Sequence, residues 1–308
     1  VSTMPTKWAC LMVGESSAHA AERAPVSVRS GRRADGVWLP RRRVEAAPCA
    51  WQQEGVAMAW LEGSSRSPSA TGPFDPWLMP RLEMSWRPSL TPIDNPVAKL
   101  GGLPVWLDEP FWPVSAQFGS PMTFIGQFPL PGPSLRMSYL FMTQDDESLA
   151  GTFEAEGGEN ALLVQPGGRV PSFVTGLATG TGPTLWRRGS QWTERVPVEL
   201  HIDVHLPDEA TASSFEREVA YQDAARRGVH FDADADHGRV DCRSYVGGQP
   251  LLWQPWTTDL DASWRFFFQL DDAEGWGDDE YALNFGGGSG YAFLSEDQRE
   301  GRFFWDCV

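Results

Sequence analysis

The chain has 308 residues, a formal net charge of −16, 41% hydrophobic and 21% charged residues. These are the proportions of a globular protein with one large or two modest domains. The negative balance excludes nonspecific nucleic-acid binding, which needs a basic surface, and electrostatic docking on anionic lipid; no apolar run reaches the roughly 18 residues of a membrane helix.

Charge divides the chain. Residues 1–90 hold 11 Lys+Arg and 8 Asp+Glu, whereas residues 91–308 hold 14 and 33. A shift of that size marks a boundary, placed here between residues 84 and 85. Residues 1–84 carry Arg32-Arg33, Arg41-Arg42-Arg43 and a Ser/Pro/Gly-rich run from Gly63 to Pro73, with no sustained period of 3.6 or 2. They are expected to be disordered or a mis-called N-terminal extension, because such a composition buries too little apolar area to offset chain entropy. A secretory signal over Lys7, the apolar Trp8 to Val13 and Ala18-His19-Ala20 is disfavoured by the short apolar run and by Glu15.

Residues 85–308 are expected to form a single domain. Leu90 to Val97 is Pro-containing and extended, and Gly101-Gly102-Leu103-Pro104 is a turn. Strands are predicted over Met122–Phe128, Met137–Thr143 and Ala161–Gln165, with Pro129 to Pro133 breaking the first pair. Val196 to Leu206 alternates apolar and polar, the mark of a half-buried strand. Asp208 to Arg227 is the one good helix: Asp208 or Thr211 caps it, Phe215 and Val219 share a face, and Gly228 ends it. Strands return at Trp264–Leu270 and Gly290–Leu294.

The order of these pieces repeats. Gly101-Gly102-Leu103-Pro104, then tryptophans, then a strand holding Gln127, then Tyr139-Leu140-Phe141 is matched by Gly247-Gly248-Gln249-Pro250, tryptophans, Gln269 and Tyr291-Ala292-Phe293. The expected fold is therefore β-rich α+β, an internal duplication of mostly antiparallel β units spanning about 97–143 and 244–295, with a joining helix between them.

Few residues point to chemistry. His201, Asp203 and His205 stand at alternate positions of one strand, which puts them on one face; imidazole and carboxylate suit a transition metal there, against the blander reading of a solvated polar face. The run Asp271 to Glu280, with Asp278 and Asp279, suggests an ion or ligand loop but does not fit the calcium-loop pattern, and a solvated acidic hairpin is the competing reading. Asn284 to Gly290 is glycine-rich without a Gly-Lys-Ser/Thr and reads as a tight turn before a strand. Gln127 and Gln269, at matched places in apolar strands, either contact a ligand or pin a neighbouring turn, since a buried amide without partners costs about 1–3 kcal/mol. The fifteen tryptophans are read as core filling. Cys10, Cys49, Cys242 and Cys307 form no C-x-x-C pair and are too few for a disulfide-dependent scaffold; the thiols are expected to be reduced, with a single Cys242–Cys307 bridge as the alternative. No cofactor motif is present.

The set Leu100-Gly101-Gly102-Leu103-Pro104, Trp112-Pro113, Pro121 to Gln127, Tyr139-Leu140-Phe141, Gly247-Gly248-Gln249-Pro250, Phe268-Gln269-Leu270 and Gly290-Tyr291-Ala292-Phe293 resembles the bacterial YwqG-like family, a domain of unknown function. The resemblance covers residues 85–308. It implies a β-rich α+β fold and a soluble cytoplasmic protein, and it supplies no catalytic residues. Two functional readings stand. One is a non-enzymatic interaction module, immunity-type for instance, with a basic protein partner. The other is a small-ligand or metal-binding protein or enzyme using a cleft between the two repeats.

Overall fold

The computed structural model describes residues 79–132, 134–144, 151–189, 194–227, 244–254, 260–272, 283 and 285–307. All belong to the second of two compact units, Pro48–Val308; the first, Val1–Ala47, lies outside the described residues. So does the expectation for residues 1–84, except at its end. Leu82 to Met84 is the start of a strand inside the sheet, so the described fold begins before residue 85.

In chain order the strands are β1 (Leu82–Pro88), β2 (Lys99–Gly101), β3 (Trp112–Val114), β4 (Thr123–Pro129), β5 (Met137–Met142), β6 (Asn160–Gln165) and β7 (Thr175–Leu177). There follow β8 (Trp186–Arg188), β9 (Arg195–Pro197), β10 (Glu199–His205), helix α1 (Glu209–Arg226), β11 (Tyr245–Val246), β12 (Trp264–Asp271), β13 (Ser289–Ser295) and β14 (Gly301–Asp306). Ten strands form one sheet in the order β14-β13-β12-β11-β1-β10-β2-β4-β5-β6. Every ladder in it is antiparallel. β3 pairs with β7, and β8 with β9, in two small ribbons.

The sheet curls until its ends meet. Phe128 of β4 and Phe268 of β12 have four strands between them in the sheet order, yet their rings stack at 4.0 Å between centroids. That contact crosses the inside of the curl. At the seam β6 faces β14 so closely that a Cβ on Gly301 would run into the Leu162 carbonyl. Beside it the Arg169 amide donates to the Arg299 carbonyl (2.6 Å), and Arg299 Nε donates to the Gly167 carbonyl (2.8 Å). The result is a nearly closed barrel.

Burial explains which strands were plain in the sequence. β4 and β5 are buried at every residue, the interior on one face and a covering loop on the other, so they read as continuous apolar runs. β10 has Leu200 and Ile202 buried and Asp203 and His205 exposed, which is the alternation of a strand covered on one side. Val198 lies between it and β9, dividing the single strand expected over residues 196–206. Two long strands went unread, β1 at the middle of the sheet and β14 at its end, together with the short strands β2, β3, β7, β8 and β11.

Helix α1 is capped as expected. The Thr211 amide donates to Asp208 Oδ1 at 2.7 Å, and the Ala212 amide donates to the Asp208 carbonyl at 2.9 Å. Its Phe215 and Val219 face packs on Tyr245 and Leu251. The helix lies in the connection from β10 to β11.

Candidate functional site

Two loops cover the outer face of the barrel, each leaving a short strand through a Gly-Gly turn. The first strap, residues 102–111, follows β2; the second, residues 248–254, follows β11. The turns need glycine. Gly101 and Gly247 have φ of +65° and +75°, and a Cβ on them would strike the Val198 and Pro80 carbonyls respectively.

Gln127 and Gln269 hold these straps down. Gln127 is fully buried on β4; its Oε1 accepts from the Val105 amide (2.9 Å) and its Nε2 donates to the Val97 carbonyl (2.9 Å). Tyr139, its cross-strand neighbour on β5, donates from its phenol to the Val105 carbonyl (2.8 Å) and accepts from the Leu107 amide (3.2 Å). One step further out, Gln165 Oε1 accepts from the Asp108 amide (3.0 Å).

The second strap is held by the same grammar. Gln269 Oε1 accepts from the Leu251 amide (3.1 Å), and Tyr291, opposite it on β13, donates to the Leu251 carbonyl (2.9 Å) and accepts from the Trp253 amide (3.3 Å). Asp306 Oδ2 accepts from the Gln254 amide (3.0 Å). Gln269 Oε1 also accepts from the Tyr245 phenol (2.8 Å), while its Nε2, fully enclosed, finds no partner. Each glutamine thus spends its carbonyl on strap backbone and exposes nothing to solvent. Burial pushes the Tyr139 phenol well above its ordinary value, against the smaller opposing effect of the Leu107 amide, so it remains a protonated donor.

Aromatic rings fill the space under both straps. Trp106 lies 4.9 Å from Tyr139 and 6.0 Å from Phe141, and Trp112 packs edge-on against Phe141 at 5.2 Å. Under the second strap Tyr291, Phe293 and Phe304 pack together with Leu252, Trp253 and Trp264 alongside. These tryptophans are core material, as their number suggested.

His201, Asp203 and His205 alternate along β10, and Asp203 and His205 take separate neighbours. Asp203 Oδ2 accepts from Arg87 Nε at 3.2 Å, and His205 Nε2 stands 3.7 Å from the Glu83 carboxylate. Among the described residues no group of three His, Cys, Asp or Glu side chains is placed to hold a metal ion. Asp278 and Asp279 lie outside the described residues. The start of that acidic run is not a solvated loop: Asp271 and Asp272 are buried. Asp272 Oδ2 accepts from the amides of Phe285 (3.0 Å) and Gly287 (2.9 Å), so it braces the glycine turn that leads into β13. Gly286 and Gly287 both have positive φ, in keeping with the turn expected there.

Several buried charges were not foreseen. Lys99 on β2 donates to Glu199 Oε1 (2.6 Å) and to the Ile93 carbonyl (2.9 Å). Desolvation lowers its pKa, opposed by the hydrogen bond and charge of Glu199. Arg81 lies over the rings of Phe215 (4.3 Å) and Tyr245 (4.7 Å) and pairs with Glu83 at 3.0 Å. Glu159 accepts from Ser115 Oγ, Thr143 Oγ1 and the Gln117 amide, each at 2.7 Å. Polar letters among apolar ones are the trace of such groups in a sequence, and partners such as Glu199 for Lys99 and Phe215 for Arg81 lie a hundred residues or more away. Cys307 is disulfide-bonded, which corrects the expectation of reduced thiols. Scarcity of cysteines argues against a scaffold that depends on disulfides, not against a single bond.

Comparison with family models, with curated proteins and with solved structures finds no match to this chain.

Proposed function

We propose that this chain is a non-enzymatic interaction module whose acidic surface takes a basic protein partner. The observation that carries the reading is the charge of residues 91–308, with 33 Asp+Glu against 14 Lys+Arg. Asp94, Asp108, Glu109, Glu154 and Glu156 are among the carboxylates on the outside. The groups that first suggested chemistry, Gln127 and Gln269, are occupied in holding the straps, which weakens the reading of a ligand site built on them. Charge of one sign over a surface speeds encounter with an opposite one and makes binding fall with salt.

The test is capture from native lysate with the full chain across a salt series, followed by binding measurements on any enriched protein. A basic protein binding at defined stoichiometry, with affinity dropping as salt rises, is expected. Enrichment of nothing at any salt concentration, or of a partner insensitive to salt, would count against the proposal.

The fold reading has a finer part, which is also a proposal: the barrel is an internal duplication of the YwqG-like kind. Matching strap clamps support it, as do matching irregularities. The β4–β5 ladder slips between Phe124 and Gly126, and the β12–β13 ladder slips between Phe266 and Phe268, each just before the strap glutamine. The Leu130 amide donates to the Arg136 carbonyl, and the Asp272 amide to the Gly288 carbonyl, at the corresponding hairpin ends. The family reading brings a cytoplasmic location with it; the disulfide at Cys307 weighs the other way, because such bonds persist chiefly in oxidising compartments.

A further inference from the structure

Registers on the two sides of the sheet centre correspond residue for residue. From the middle outward on one side, Arg87 faces His201, which faces Lys99, then Gln127, Tyr139 and Leu163. On the other, His205 faces Glu83, which faces Tyr245, then Gln269, Tyr291 and Phe304. Exchanging β1 with β10 maps one row onto the other, and Ser85 opposite Asp203 is the pair that maps onto itself. Backbone bonds outside the ladders obey the same exchange. The Met84 amide donates to the Ser244 carbonyl, and the Ile202 amide to the Ala98 carbonyl. The apolar positions agree too: Leu82, Met84 and Trp86 correspond to Leu200, Ile202 and Val204.

This symmetry has an unusual connectivity. Strand β1 leads the first half in sequence, yet it pairs with β10 and β11 of the second half. Strand β10 leads the second half and pairs with β1 and β2 of the first. Each half has surrendered its first strand to the sheet of the other.

We infer that the chain is a fused strand-exchanged pair: the leading strand of each half is an interaction surface, and the partner it fits is a half of the same kind. The inference rests on the duplication reading. Exchange of equivalent elements is how like units intertwine at low cost. The residues on the axis favour pairing of unlike halves. Two second halves would set Asp203 against Asp203, and like charges directly opposite across a ladder destabilise it. The fused arrangement puts Ser85 there instead, and Ser85 Oγ lies 3.5 Å from the Asp203 carbonyl. Corresponding positions have also diverged into different partnerships. Lys99 with Glu199 is an ion pair, whereas Tyr245 with Arg81, in the same two places, is a ring under a guanidinium.

The experiment uses the full chain with a protease site inserted within residues 190–193, cut after folding and kept in reductant so that no disulfide ties the pieces. The cut chain is expected to elute as one species of intact size. After separation in guanidinium and equimolar remixing, it should regain the near-ultraviolet circular dichroism of the uncut chain, while neither piece alone does. Folded pieces that part without denaturant would overturn the inference, because each half would then complete its own sheet. So would remixed pieces that fail to regain the signal under conditions where the uncut chain refolds. Either failure leaves the duplication itself standing, since that reading is tested separately on the strap tyrosines.

Discussion

Gln127 and Gln269 show how the same residue in corresponding places can be worth different amounts. At Gln127 both ends of the amide have a backbone partner, and its removal strands the Val105 amide. At Gln269 the Leu251 amide has a second acceptor in the Tyr245 phenol, at 3.1 Å, and Nε2 has no partner to lose. Gln127→Met is therefore expected to cost about 1–3 kcal/mol and Gln269→Met clearly less. Tyr139→Phe and Tyr291→Phe each remove a donor to a strap carbonyl and an acceptor for a strap amide; the Trp253 amide keeps a second acceptor in Asp306 Oδ1 at 3.3 Å, so both variants are expected to destabilise, Tyr139→Phe the more. Chemical denaturation of the four variants measures this; a tyrosine variant in either half that costs nothing would argue against the matched clamps of the duplication, and equal glutamines against the assigned bonds. The two glutamines stood out in the sequence because polar letters in apolar runs demand partners. Whether those partners were a ligand or the protein's own backbone depended on straps folded over them, and no local pattern records that.

Among the elements, the helix was the most legible because its signals are local. Asp208, the Phe215 and Val219 face and the stop after Arg227 all lie within about five turns of chain. Asp208→Ala removes the acceptor for the Thr211 amide and is expected to lower stability by about 0.5–2 kcal/mol, with helical circular dichroism lost at lower temperature. No change would mean the cap is redundant. Strands with both faces covered were legible as apolar runs, and β10 as an alternation. β1 was not, because Glu83, Ser85 and Arg87 break its apolar content, and its burial comes from partners more than a hundred residues on. On the duplication proposed above, the repeats would begin at β1 and β10 rather than near residues 97 and 244; β10 was read as a strand but not as part of a repeat.

At the scale of the molecule, the barrel depends on its seam as much as on its ladders. β6 and β14 approach where Gly301 faces the Leu162 carbonyl, and the Arg169, Arg299 and Gly167 contacts sit beside it. Gly301→Val forces a side chain into that approach. Core overpacking typically costs about 1–3 kcal/mol, and the loss should appear as a lower denaturation midpoint with faster amide exchange along β6 and β14. A variant as stable as the parent would show that the seam gapes in solution. The barrel itself could not be read from the chain: which strands neighbour one another is set by burial summed over the whole sheet, and the Phe128–Phe268 stack inside it joins residues 140 apart in sequence.

The distant partners of β1 also impose an order on the protein's making. A ribosome releases β1 early, but β1 is completed only by β10 and β11, and Val246, which pairs with Leu82, follows it by 164 residues. At about 5–20 residues per second the strand waits on the order of ten seconds or more for its neighbour. During that interval its apolar face and unpaired edge are open to any strand that comes by. Loop closure over such distances is slow as well, so this protein belongs among those whose folding runs late in translation and leans on whatever shields nascent chains.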